Sequence, residues 1–186
     1  MSNAVSALGG VSQQGFVTVA EAGLRGMITL RGDLSAPAMK TAVKAATGAD
    51  MPAPRRIAVH GDRAAAWMSP DELLLLVPYA EAVATIAALD AALAGTHYLA
   101  ADVSDARAVF TIGGARAAEV LMKLCPVDIT TLAEGEIRRT RAAQVAAAFW
   151  KSAPEEYTLV SFRSVAGYVM ALLEVSARAG SELNLG

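Results

Sequence analysis

One cysteine, Cys125, stands in a chain of 186 residues. It allows no internal disulfide and no cysteine-based metal cluster. Histidine is nearly as scarce, with His60 and His97 the two present, and no H-x-x-x-H or similar ligand spacing occurs. Neither a metal site nor a hydrolytic triad is spelled out. Charged residues make up 18 % of the chain, below the ~25 % usual for soluble domains. The net charge is −2 and the isoelectric point about 5.7, and no basic run exceeds Arg138-Arg139-Thr140-Arg141. Nucleic acid is therefore not an expected partner. Long apolar runs are missing too, since the stretch 73–95 is broken by Pro78, Glu81 and Asp90, which argues against a membrane span. The opening residues M-S-N-A-V-S-A-L-G-G precede any basic residue, the first being Arg25, unlike the charged start of a signal peptide. A cytoplasmic location is the expectation.

What is present is apolar. The hydrophobic set reaches 54 %, and with the 15 glycines added the share is roughly 62 %, against ~45–50 % for typical soluble domains. A large buried interface explains such a surplus, and so does plain alanine richness.

Two phrases repeat. Trp67 to Val77 reads W-M-S-P-D-E-L-L-L-L-V, and Trp150 to Val160 reads W-K-S-A-P-E-E-Y-T-L-V. The tryptophans lie 83 residues apart (67 to 150) and the prolines 84 (70 to 154). Ile28-Thr29-Leu30-Arg31-Gly32 matches Phe110-Thr111-Ile112-Gly113-Gly114 at an offset of 82 (28 to 110). Repeated phrases mark repeated structure. The pattern predicts an α+β fold of duplicated, ferredoxin-like β-α-β-β-α units, with helices over one face of a mainly antiparallel sheet. The organisation read from the sequence is a flexible N-terminal arm over 1–25, a first repeat over 26–96, a second over 97–180, and a tail over 181–186.

Within the repeats, Ser35 and Ser164 are placed to cap helices. Val83, Ile86, Ala87, Leu89 and Leu93 make the inward stripe of one helix, and Val165, Tyr168, Val169, Leu172 and Leu173 that of another. Residues 137–150 carry strand character with a bulge. Gly113-Gly114 lies between a strand and a helix near Arg116, a setting in which backbone N–H groups could meet an anion, although a tight turn needs no ligand. Cys125 ends a helix, where the dipole raises a thiol pKa, which argues against a nucleophile. In a strand, Arg139 and Arg141 point one way and Arg138 the other. Such arginines suit carboxylates on a partner, and equally guard an exposed edge against pairing. Trp67 and Trp150 read as core or interface anchors.

The strings D-V-S-D-A-R-A-V-F-T-I-G-G (102–114), L-C-P-V-D (124–128), G-E-I-R-R-T-R (135–141) and S-F-R-S-V-A-G-Y (161–168) resemble the gamma subunit of heterotetrameric sarcosine oxidase. More distantly, the chain is similar to the folate-binding fold of glycine-cleavage aminomethyltransferases. The K-G-C-Y-x-G-Q-E signature of related iron–sulfur repair proteins is not in the sequence. The resemblance implies a four-chain oxidase that demethylates sarcosine to glycine with hydrogen peroxide as co-product. With tetrahydrofolate it implies methylene-tetrahydrofolate as well. FAD, FMN, NAD and tetrahydrofolate are then expected in partner subunits and none in this chain. The partners are the larger alpha and beta subunits and a small delta subunit. This chain becomes a non-catalytic accessory subunit, with Arg139, Arg141 and Trp150 as candidate partner contacts. The alternative is a free-standing folate-binding, aminomethyl-transfer module, for which Asp102 is the nominated carboxylate, although Ser104-Asp105 beside it suits a turn. A third reading is a homodimer that hides the apolar surplus against itself.

Overall fold

A computed structural model describes residues 4–183. The first three residues of the expected arm and the last three of the expected tail lie outside the described residues. The chain divides into two units, Arg25–Asp105, and Met1–Leu24 together with Ala106–Gly186. Each holds one antiparallel sheet and two helices, the α+β arrangement expected. The first strands in the chain, β1 (Ser12–Gln14) and β2 (Thr18–Glu21), belong to the unit that has two pieces.

The contiguous unit runs β3 (Gly26–Gly32), α1 (Pro37–Thr47), β4 (Ile57–His60), β5 (Arg63–Ser69), β6 (Glu72–Val77), α2 (Ala82–Ala92) and β7 (Tyr98–Asp102). Its strands order as β4-β5-β6-β3-β7. Strand alternation sends Ile28, Leu30, Leu73, Leu75 and Val77 to one face, where they pack with Met39, Ala42, Val43, Leu89 and Leu93 of the helical side. Each such side chain, fully buried, contributes about 1.5–3 kcal/mol. Pro37 sits in the first turn of α1, where its missing N–H costs nothing. Gly48 closes the helix at φ 71°, its N–H donating to the Lys44 carbonyl at 2.8 Å. A Cβ there would also stand 2.5 Å from His60 Nδ1, so two constraints select glycine.

The other unit runs β8 (Arg107–Gly113), α3 (Ala117–Leu124), β9 (Ile137–Ala142), β10 (Val145–Ala153), β11 (Glu156–Phe162) and α4 (Ala166–Ser176). Its sheet order is β1-β2-β8-β11-β10-β9. Phe110, Ile112, Phe149, Tyr157 and Leu159 form a core with Val120 and Leu121 of α3 and Val169, Met170 and Leu173 of α4. The Phe149 and Tyr157 rings meet edge to face at 6.5 Å.

Several expectations are corrected. The N-terminal segment, read as a flexible arm, forms β1 and β2, and Val17 and Val19 are buried in the core. Its Gly and Ser content hid a four-residue strand that pairs with β8 from Thr18↔Gly113 to Glu21↔Phe110. Tyr98–Asp102, read as opening the second repeat, pairs with β3 and completes the first sheet. The run 137–150 is a hairpin whose turn falls at Ala143 (φ 49°), hidden by its alanines. In α2 the buried positions are Ala82, Thr85 and Leu89, with Leu93 buried just past its end, while Val83 is 74 % exposed. In α4 they are Ala166, Val169, Met170, Leu173 and Ser176, while Tyr168 is exposed. Both helices are apolar nearly all round, so periodicity could not choose their inward face. Neither Ser35 nor Ser164 caps a helix. Asp33 takes both the N–H and the hydroxyl of Ser35, and a 3₁₀ turn over Arg163–Val165 precedes α4.

Candidate functional site

Strand β9 pairs with β10 from Ala142↔Val145 through Arg141↔Ala146 and Arg139↔Ala148 to Ile137↔Trp150. The two-residue connection makes Ala142 and Val145 a hydrogen-bonded pair. By alternation, residues 138, 140 and 142 turn their main-chain groups toward β10, and 137, 139 and 141 turn theirs to the outer side. Side chains alternate as well. Ala142 and Phe149 lie in the helix-side core, so Arg139, Arg141, Ala146, Ala148 and Trp150 share the opposite face.

The three nominated contacts thus lie on one face of neighbouring strands. Arg139 and Arg141 are exposed. Trp150 is only 6 % exposed, so its indole is packing and not an accessible anchor. Arg138, on the other face, is paired with Glu136 at 2.6 Å and donates to the Ile137 carbonyl at 3.1 Å.

The residues weighed for chemistry do not converge. Asp102 ends β7 exposed, and its Oδ1 accepts from the Ser104 N–H at 2.9 Å and the Ser104 hydroxyl at 2.5 Å. That is a turn-forming carboxylate. Cys125 is 5 % exposed, and burial pushes its thiol up to about 12. The Gly114 N–H is taken by the Glu155 carbonyl at 2.9 Å. Arg116 forks onto both oxygens of Glu119, at 2.6 and 3.0 Å, and this pair holds the Glu119 carboxyl below its usual range. His60 ends β4 against Gly48, and His97 is exposed ahead of β7. Among the described residues, no group of three or more His, Cys, Asp or Glu could hold a metal ion, and no helix is long and apolar enough to cross a membrane.

Two features escaped the sequence reading. A cleft of about 450 Å³ is lined by Arg31, Gly32, Asp33, Asp71, His97, Tyr98 and Leu99. Arg31 is held there by Glu72 at 2.8 Å, and Asp33 by Ser35. The Tyr98 phenol donates to Asp90, and Asp102, the carboxylate nominated for a folate site, is not part of this lining. The second feature is Glu21, a carboxylate 5 % exposed that accepts from the N–H groups of Leu8 (3.2 Å) and Gly10 (2.7 Å) and from the Ser6 hydroxyl (2.8 Å). Burial pushes this carboxyl upward, but hydrogen bonds from Gly10, Ser6, Leu8 and Ala7 outweigh it, and the net direction is down. Its signal was that Glu21 is the lone acid before Asp33.

A sequence comparison with curated proteins finds no match. Among solved structures, a chain of the heterotetrameric sarcosine oxidase from Corynebacterium sp. U-96 is similar at a TM-score of 0.78 and 25 % identity, over 87 % of this chain and 83 % of that one. The glycine cleavage system aminomethyltransferase T from Bartonella henselae shares the fold at 0.62 and 14 % identity, over 83 % of this chain and 44 % of that one. The regulatory subunit of aspartate kinase from Thermus thermophilus does so at 0.51 and 16 %, over 89 % and 99 %. Residues 31–179 match the sarcosine oxidase, gamma subunit family, and with well over half of its length inside that match the chain belongs to this family.

Proposed function

We propose that the chain works as the accessory gamma subunit of a heterotetrameric, cytoplasmic oxidase that demethylates sarcosine to glycine with release of hydrogen peroxide. In the presence of tetrahydrofolate the complex passes the one-carbon unit to methylene-tetrahydrofolate. FAD, FMN, NAD and the folate sit in the alpha and beta subunits, with a small delta subunit completing the assembly. This chain contributes to assembly and not to the reacting groups. The family match over 31–179 carries the reading. It is supported by the engagement of the chemistry-bearing side chains, with Asp102 held in a turn, Arg116 bound by Glu119, and Cys125 buried. Arg139 and Arg141 are the proposed partner contacts, with Trp150 packed beneath the same face.

The test is purification from the source cells under mild conditions, followed by native mass spectrometry, visible absorption and a sarcosine-dependent peroxide assay. The expected result is a complex with two larger chains, flavin absorbance and peroxide formation. A colourless monomer or homodimer without that activity overturns the reading. Tetrahydrofolate binding by such a free chain would establish the folate-module alternative.

A further inference from the structure

Four strands stand at the ends of the two sheets, and they differ in length and charge. β1 has three residues, β4 four, β7 five and β9 six. β9 reads I-R-R-T-R-A, with three arginines and no acidic residue, inside a chain whose net charge is −2. Its outer side carries the main-chain groups of Arg139 and Arg141, and the side chains of those two residues are exposed on one face.

We propose that, in the assembled oxidase, an extended acidic segment of a partner subunit pairs with β9 as the next strand of its sheet. The inference rests on the accessory-subunit reading and names the partner chemistry for it. Strand addition supplies affinity through main-chain hydrogen bonds, and side chains on alternate positions supply selectivity. Carboxylates opposite Arg139 and Arg141 give favourable cross-strand pairs, whereas like charges opposite one another are destabilising. A second copy of β9 in that place would set arginine against arginine, so the same feature that blocks self-pairing selects an acidic strand. The equivalent edge of the contiguous unit, β4, is shorter and exposes Val59 in place of an arginine.

The test is residue-resolved hydrogen exchange on the intact complex. The Arg139 and Arg141 amides, which do not bond to β10, are expected to exchange at least ~100-fold slower than an unstructured chain. The double reversal R139E/R141E is expected to lower complex yield about tenfold or more, more severely at low salt than at high, while R139K/R141K keeps most of it. Circular dichroism of each variant checks that the fold is retained. Free exchange at both amides within a formed complex, or wild-type yield of the reversal variant, overturns the edge pairing and leaves the subunit reading intact. Failure of the wild-type chain to assemble with larger chains overturns both. Protection of these amides in a self-associated chain also overturns the proposal, because the occupant is then a second copy.

Discussion

The two units answer the repeated phrase differently from the way it is spelled. In the contiguous unit Trp67 pairs with Leu73 and Ser69 with Glu72, with a bulge between. In the other, the same bulged geometry pairs Lys151 with Tyr157 and Ala153 with Glu156. The structural offset is therefore 84 (67 to 151, 73 to 157), and the partner of Trp67 is Lys151. Trp150 instead takes the place of Ala66, which pairs with Leu74 as Trp150 pairs with Thr158. One residue of slip sends the two indoles to opposite faces. Trp67 packs, partly exposed, on the helix-side core, whereas Trp150 is buried on the reverse side. Letter identity marked the duplication correctly and misplaced it by one step. The main-chain marks align better. Gly32 N–H donates to the Asp71 carbonyl at 3.0 Å, and Gly114 N–H to that of Glu155 at 2.9 Å.

The sharpest way to break this comparison is at the tryptophans. Trp150→Ala empties a buried site and is expected to cost about 3–5 kcal/mol, read from the denaturant midpoint. Trp67→Ala, at a half-buried site, is expected to cost about 1–2 kcal/mol. Equal costs would show that the two indoles hold equivalent places after all.

The next effect concerns Glu21, which pairs with Phe110 as Asp102 pairs with Ile28 in the contiguous unit, but is buried where Asp102 is exposed. Glu21→Gln weakens charge-assisted hydrogen bonds from three donors and is expected to cost on the order of 2 kcal/mol at neutral pH. The folded carboxyl lies below its ordinary value of 4.5. Its contribution is therefore complete above that value and disappears as the pH falls through the depressed one. A stability difference between wild type and E21Q that stays constant down to strongly acid pH would contradict this. Cys125 is expected to resist thiol reagents at pH 8 in the folded chain and to react once denaturant is added, because burial leaves almost no thiolate. The smallest effect is at the edge, where Arg139→Ala and Arg141→Ala should shift the midpoint by no more than about 0.5 kcal/mol. Any larger loss in those variants belongs in the yield of the complex.

The duplication was legible because Ile28-Leu30 and Phe110-Ile112 carry strand alternation, and Pro70 and Pro154 fix the same turn. The buried faces of α2 and α4 were not legible. Alanine and leucine surround both helices, and only packing distinguishes Leu89 from Val83. The strand role of Thr18–Glu21 was hidden because its pairing partner, β8, lies far along the sequence. At the candidate site, Arg139 and Arg141 could be placed on one strand face by period alone. The burial of Trp150 could not, since it depends on a register set by the hairpin turn at Ala143.

β3 lies between β6 and β7, the last strand of its own unit in the chain, whereas β8 lies between β11 and β2, which comes long before it. That difference sets a schedule during synthesis. Residues 25–105 emerge as one stretch and can close their sheet while translation continues. β2 leaves the ribosome first of the two and, although β1 can pair with it, has no place in the larger sheet until β8 is made. Phe16 N–H, which donates to the Ala177 carbonyl at 2.9 Å, must wait until α4 is complete. β2, made well before β8, is thus secured late, and in that interval Val17 and Val19 are apolar residues a chaperone can hold.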